Sequence, residues 1–294
     1  MIVRSRPKLW ELFSIMRLSI VPRILPQLAL ATAVACGVVV LWHHAPQVFK
    51  NFSVAPFTLL GIALSIFLGF RNNACYDRWW EARRQLGALI GEVRSLARLT
   101  MTLQGGDRER RAHAVRRTIA WTYALMAHLR GAPMPAELAR PGAQNIPDVL
   151  LRELAHEYAA MLAAQEFGEP IYQRLDERLS AMAGIQVACE RIRSTPTPFA
   201  YTLLLHRTAY AFCVLLPFGL VGTMGYATPI FTALVAYAFF GLDALGDELE
   251  EPFGDWSNAL PLSAMARTIE ISLLEAIGAT DIPEPLQPVD SILR

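Results

Sequence analysis

From Asn51 to Phe70 the chain carries no formal charge, and at Arg71 it turns strongly polar. About 20 residues at about 1.5 Å each cross a bilayer core of roughly 30 Å, so the run predicts a membrane-spanning helix. No proline follows until Pro133, so the helix is expected to leave the membrane and continue into water as one rod. At about 100° per residue, Ile62, Ile66 and Phe70 fall within an arc of about 80° and form a narrow apolar stripe. Gly61, Ala63, Ser65 and Gly69 flank it and allow copies of the helix to approach closely. Copies ringed about an axis would turn the stripe into a hydrophobic constriction. Periodicity alone more often means a stripe that faces lipid or the core of a bundle.

Three more spans follow the same logic. Leu25 to Trp42 is apolar, with Pro26 near its start and Trp42 at the far interface. Thr208 to Leu242 is uncharged but interrupted by Gly222-Thr223-Met224-Gly225-Tyr226-Ala227-Thr228-Pro229, which predicts two spans joined by a tight turn. Residues 1–24 mix Arg4, Arg6, Lys8, Arg17 and Arg23 with Trp10, Leu12, Phe13 and Ile15, as an amphipathic segment on a membrane surface does. Between the spans, residues 72–198 read as helical. Leu86, Leu89, Ile90, Val93, Leu96 and Leu99 keep a helical period up to Gly105-Gly106. Further helices are expected over Arg111–Arg130, Val149–Glu166 and Ile171–Arg193, with a connection from Pro135 to Pro147. After the spans at 199–246, residues 247–294 hold an amphipathic helix from about Ser263 to Ile277. A tail with Pro283, Pro285 and Pro288 follows, expected to lie across a neighbouring surface. The fold class is therefore all-α, with four transmembrane helices and a large aqueous helical region.

Basic residues orient it. They precede the first span, follow the second (Arg71, Arg78, Arg83, Arg84) and precede the third (Arg191, Arg193), while the other loops hold only Lys50. The positive-inside rule puts both ends and residues 72–198 in the cytoplasm. With 53% hydrophobic and 18% charged residues, the chain is too apolar for an ordinary soluble domain and too charged to lie wholly in lipid. A net charge of +1 argues against a nucleic-acid partner. Cys36, Cys75, Cys189 and Cys213 are scattered without a C-x-x-C, and the adjacent His43 and His44 fit a solvated loop better than a metal site. No nucleotide-binding, zinc-hydrolase or nucleophile-elbow motif is present, so no enzyme chemistry, cofactor or metal is expected. His206 and Arg207, at the start of the third span, suit either a conduction path or an interfacial pair reaching to headgroups, the second being the commoner arrangement.

Three blocks carry a resemblance: Phe67-Leu68-Gly69-Phe70-Arg71-Asn72-Asn73 through Arg78-Trp79-Trp80; Thr195-Pro196-Thr197-Pro198-Phe199-Ala200-Tyr201-Thr202 through His206-Arg207; and Leu242-Asp243-Ala244 through Glu251-Pro252-Phe253-Gly254. In this order they resemble the bestrophin family, specifically its bacterial branch. The resemblance implies a funnel-shaped homopentamer in the bacterial inner membrane, with five copies of helix 54–71 about the axis. Ile62, Ile66 and Phe70 would then form the pore neck. Aligning Cys189-Glu190-Arg191-Ile192 with the family implies a second, cytoplasmic aperture at Ile171.

In animal members a calcium clasp uses acids directly after Pro-Phe-Gly. Here Asp255-Trp256-Ser257-Asn258-Ala259-Leu260 has a single carboxylate, so no calcium gate is expected. The acids upstream, Asp247 to Glu251, read as helix-surface and interfacial charge.

Neither constriction carries charge. Animal and plant relatives conduct anions and the bacterial branch is associated with monovalent cations, so Ile66, where animal members have phenylalanine, tilts the expectation to sodium and potassium. A chloride channel and a non-conducting scaffold are the alternatives. A regular continuation of the helix adds Asn73 and Asp77 to the stripe as a candidate vestibule ring that would concentrate cations. Asp77 could equally pair with a nearby arginine or face solvent.

Overall fold

The computed structural model describes residues 1–4, 18–49, 52–103 and 106–294. Among these the chain is helical: α1 (Val21–His44), α2 (Ala55–Thr102), α3 (Arg108–Arg130), α4 (Ile146–Ala163), α5 (Glu169–Ser194), α6 (Phe199–Met224), α7 (Thr228–Glu250) and α8 (Leu262–Ile277). Isolated β-bridges involving Ile2, Val289 and Ile292 are the extended pairing present among the described residues. The chain divides into two compact units, one of Ser5–Trp79 with Pro196–Glu251, the other of Met1–Arg4, Trp80–Thr195 and Pro252–Arg294. Helix α2 contributes its first half to the one and its second half to the other.

In the first unit α1 packs against α6 and α7, and α6 against α7. Ile24, Ala31, Leu64, Leu205, Phe212, Leu216, Ala236 and Phe240 make its main core, and Val38, Val39, Phe49 and Val221 a smaller one. The hairpin between α6 and α7 turns where expected. Gly225 takes φ 51°, a conformation that favours glycine, and Pro229 lies in the first turn of α7, where its missing N–H costs nothing. Trp42 packs edge-on against Tyr226, and the Tyr226 hydroxyl lies 3.0 Å from His43 Nδ1, tying the end of α1 to this turn. Among the described residues three stretches are long and apolar enough to cross a membrane: Val21–His44, Ala55–Thr102 and Phe199–Glu250, the last broken by the turn at Gly225–Ala227.

In the second unit α3 packs on α4, α5 and α8, and α4 on α5. Leu86, Leu89, Val93 and Leu96 of α2 are buried, as their period predicts, and Trp121 of α3 is fully buried with Nε1 donating to Gln186 Oε1 at 3.3 Å. Asp107 caps α3 by accepting from Glu109 N, and Gly131 closes it at φ 70°. Arg130, in the last turn, donates to the carbonyls of Phe253, Gly254 and Leu260, so one guanidinium gathers the Pro-Phe-Gly loop. Burial pushes the Cys189 thiol up to about 12, which makes it an inert core residue.

The tail ends against the unit's own N-terminal residues. Val3 N donates to Ser291 O at 2.8 Å, Met1 N to Leu293 O at 2.6 Å, and Leu293 N back to Met1 O at 2.9 Å. No local pattern announces that pairing.

Several boundaries differ from expectation. Most of the amphipathic segment expected over residues 1–24 falls on residues 5–17, which lie outside the described residues. Helix α1 starts at Val21 rather than Leu25 because Pro22 supplies its first turn and Arg23 is drawn in by Asp247. The division between the compact units falls after Trp79, and α7 runs on to Glu250.

Candidate functional site

Helix α2 has two opposite faces in the first unit. Leu64, Leu68, Arg71 and Cys75 are buried, whereas Ile62, Ile66, Phe70, Asn73 and Asp77 are exposed. At about 100° per residue the centres of the two sets lie about 170° apart. The relative exposure of Ile62, Ile66 and Phe70 is 56, 52 and 62%. Within this chain, therefore, the side chains of the stripe are not part of a core. Asp77 is exposed and makes no ion pair among the described residues. Ile171 is on α5 in the second unit, in the first turn after the cap Gly168 and Pro170, and is half-buried.

What anchors the buried face is ionic. Arg71 is 1% exposed, yet its guanidinium is ringed by carboxylates of α7. Nη1 donates to Asp243 Oδ1 at 3.0 Å and to Asp243 O at 3.1 Å, and Nη2 lies 2.5 Å from Asp247 Oδ1 and 3.4 Å from Glu250 Oε2. Asp243, Asp247 and Glu250 sit at spacings of four and three, one face of a helix. His206 of α6 brings Nδ1 to 2.5 Å from Asp243 Oδ2 and Nε2 to 3.6 Å from Asp247 Oδ1. Arg23 of α1 donates to Asp247 Oδ2 at 2.8 Å and lies 3.7 Å from Glu248 Oε1. Glu250 also accepts from the backbone N–H and hydroxyl of Thr197, and its carbonyl accepts from Arg78 Nε at 2.7 Å.

The cluster thus ties α1, α2, α6 and α7 together. Such buried pairs hold only when each charge is met by another, as here. Gly246 makes room for it. A Cβ there would come 2.5 Å from Asn72 Oδ1 and 2.9 Å from Arg71 Nη1.

This corrects two expectations. Asp247, Glu248 and Glu250 are not surface charge but are turned inward, because Arg71 and Arg23 are there to receive them. His206 does not reach outward with Arg207; it faces the same carboxylates, while Arg207 is exposed. The signal was available: Asp243 is the first charge after 35 uncharged residues, and it begins a helical i, i+4, i+7 row of acids. His206, Asp243 and Asp247 each put a donor atom within 4.8 Å of the others, a spacing that suits a metal ion. Their charge, however, is already met by two guanidinium groups, which would repel a metal cation.

The family described as Bacterial/Fungal Bestrophin protein matches residues 1–275. A voltage-dependent anion channel-forming protein of Mesorhizobium japonicum is 44% identical over 299 residues, covering 99% of this chain and 96% of that one. A protein of the same description from Escherichia coli K12 is 37% identical and covers 98% of both. A crystal structure of a bacterial bestrophin homolog from Klebsiella pneumoniae superposes with a TM-score of 0.83 at 35% identity, over 88% of this chain and all of that one. The relatives' names speak of anions, which fits the chloride alternative better than the expected preference for sodium and potassium. An uncharged ring such as Ile66 holds no information about ion sign, so the choice of isoleucine over phenylalanine could not decide it.

Proposed function

Since the chain belongs to the bacterial and fungal bestrophin family, whose members among its relatives are named as anion channel-forming proteins, we propose that it is a membrane channel for small monovalent anions, built as a homopentamer. In this reading α1, the first half of α2, α6 and α7 are four spans of the inner membrane, with both chain ends and the second unit in the cytoplasm. Five α2 helices surround the axis. Ile62, Ile66 and Phe70 form a neck that a hydrated ion passes only when it is wetted. Ile171 forms a second aperture, and Asn73 and Asp77 a vestibule ring below the neck. One subunit with four spans is too small to enclose a water-filled path, so conduction requires the oligomer.

The observation that carries the reading is the outward stripe. Three bulky apolar side chains stand exposed at one-turn intervals, on the side of α2 opposite the ionic anchor. A face so apolar asks to be covered, and a ring of copies covers it around an axis.

The test is a planar-bilayer recording of purified protein under asymmetric potassium chloride. The expected reversal potential lies toward the chloride equilibrium value, and Ile66→Ala raises the conductance. A silent bilayer with unchanged behaviour of the variant would instead identify a scaffold.

A further inference from the structure

In the second unit, the last turns of α2 and the first turns of α5 border an open surface cleft of about 330 Å³ lined by Ser95, Arg98, Leu99, Arg174, Glu177 and Arg178, of which Arg98, Arg174 and Glu177 are exposed. Ser95, Arg98 and Leu99 are spaced three and four apart, as are Arg174, Glu177 and Arg178, so each helix turns one ridge into the cleft. Three of these lining residues are arginines. Arg178 is answered by Glu92, at 3.0 Å from Nη1, and more distantly by Glu177, at 3.8 Å from Nη2. Arg98 and Arg174 have no ion-pair partner among the described residues, and the Ser95 hydroxyl makes no hydrogen bond among them.

Arg174 and Arg178 stand one turn apart, where like charges repel. The cleft therefore holds a surplus of positive charge that an anion would relieve. Guanidinium forks fit a tetrahedral oxyanion through paired N–H···O bonds, whereas a spherical halide uses that geometry poorly. Leu99 is the one apolar side chain in the lining, which leaves no seat for an acyl chain and favours a water-soluble ligand over a lipid.

We infer that this cleft binds a soluble phosphate group, held by Arg98 and Arg174 with the Ser95 hydroxyl as a further donor. Arg174 lies one turn from Ile171 on α5, but the test of the cleft reads binding alone and needs no conduction. Full-length protein in detergent is titrated calorimetrically with inorganic phosphate, and in a second arm with glycerol phosphate, each at constant ionic strength against chloride. The native protein is expected to show saturable phosphate binding that chloride does not reproduce. The arm that saturates at lower concentration assigns a free or an esterified phosphate.

Combining Arg98→Ala with Arg174→Ala should weaken binding by at least about tenfold, since each removes a charge-assisted hydrogen bond. Arg84→Ala, an exposed arginine of α2 outside the cleft, should leave it unchanged. Absence of saturable binding, native-like binding by the double variant, or equal weakening by Arg84→Ala would each overturn the assignment. These outcomes leave the channel reading untouched, just as a silent bilayer leaves the cleft untouched.

Discussion

Arg71 Nη2 lies 2.5 Å from Asp247 Oδ1, joining residues 176 positions apart across the interior of the apolar unit. This contact fixes the rotation of α2 about its own axis. With Arg71 turned inward, Ile62, Ile66 and Phe70 must turn outward, because both sets ride on one helix.

Arg71→Ala would leave Asp243 and part of Asp247 buried without their cation. Removing one partner of a buried pair costs about 3–5 kcal/mol, so a marked fall in the thermal unfolding temperature of detergent-purified protein is expected. Gly246→Ala should act in the same direction, since its Cβ meets Asn72 and Arg71 below van der Waals distance. If both variants melt like the native protein, the cluster is not the anchor.

The two faces of α2 should respond differently to the same change. Leu68 is fully buried, and Leu68→Ala should destabilise by about 2–5 kcal/mol through lost burial and a cavity. Ile66→Ala removes an exposed side chain and should leave the melting temperature nearly unchanged while raising single-channel conductance. Melting curves and bilayer recordings on the same two preparations separate these effects.

Asp77 is exposed and makes no ion pair among the described residues. As a ring below the neck its carboxylates would oppose anions, so Asp77→Asn should raise chloride conductance. The effect should be largest at low salt and fade at high salt, because the screening length falls from about 30 Å at 0.01 M to about 8 Å at 0.15 M. Equal conductance of native and variant protein at 0.01 M would remove Asp77 from the ion path.

Glu153 supplies a pH test in the second unit. Its hydrogen bond from Arg140, at 2.8 Å, and the nearby charges of Arg140 and Arg117 hold its carboxyl below the usual 4.5. A depressed carboxylate stabilises the folded state above its ordinary value, and that contribution is lost as pH falls through the depressed value. Native protein should therefore be more stable than Glu153→Gln at neutral pH, and the gap should narrow as the buffer is taken from pH 6 toward pH 3. A gap that widens on acidification would reverse the sign of this linkage.

Much of the architecture could be read locally. The uncharged runs, the turn at Gly225 and Pro229, the stop at Gly131 and the uninterrupted α2 all follow from hydropathy, glycine and proline, which act within a few residues. The stripe was legible for the same reason, as a period of about 3.6 along one helix, though not the direction it faces. The role of the acids was not. The row Asp243, Asp247 and Glu250 marks one helix face, but whether that face is solvated or paired inward depends on where Arg71 stands, far away in the chain. Ion sign was equally illegible, since an apolar ring repels a dehydrated ion of either charge.

By itself, then, the sequence determined which stretches are helices, which are apolar enough to span a bilayer, and that Ile62, Ile66 and Phe70 share one edge. Only the tertiary structure decided which way that edge faces and where the charges between α1, α2, α6 and α7 go. Helix formation and hydropathy are sums over neighbours in the chain, whereas the burial of a charge is settled by partners brought to it in space, here Arg71 by Asp243, Asp247 and Glu250.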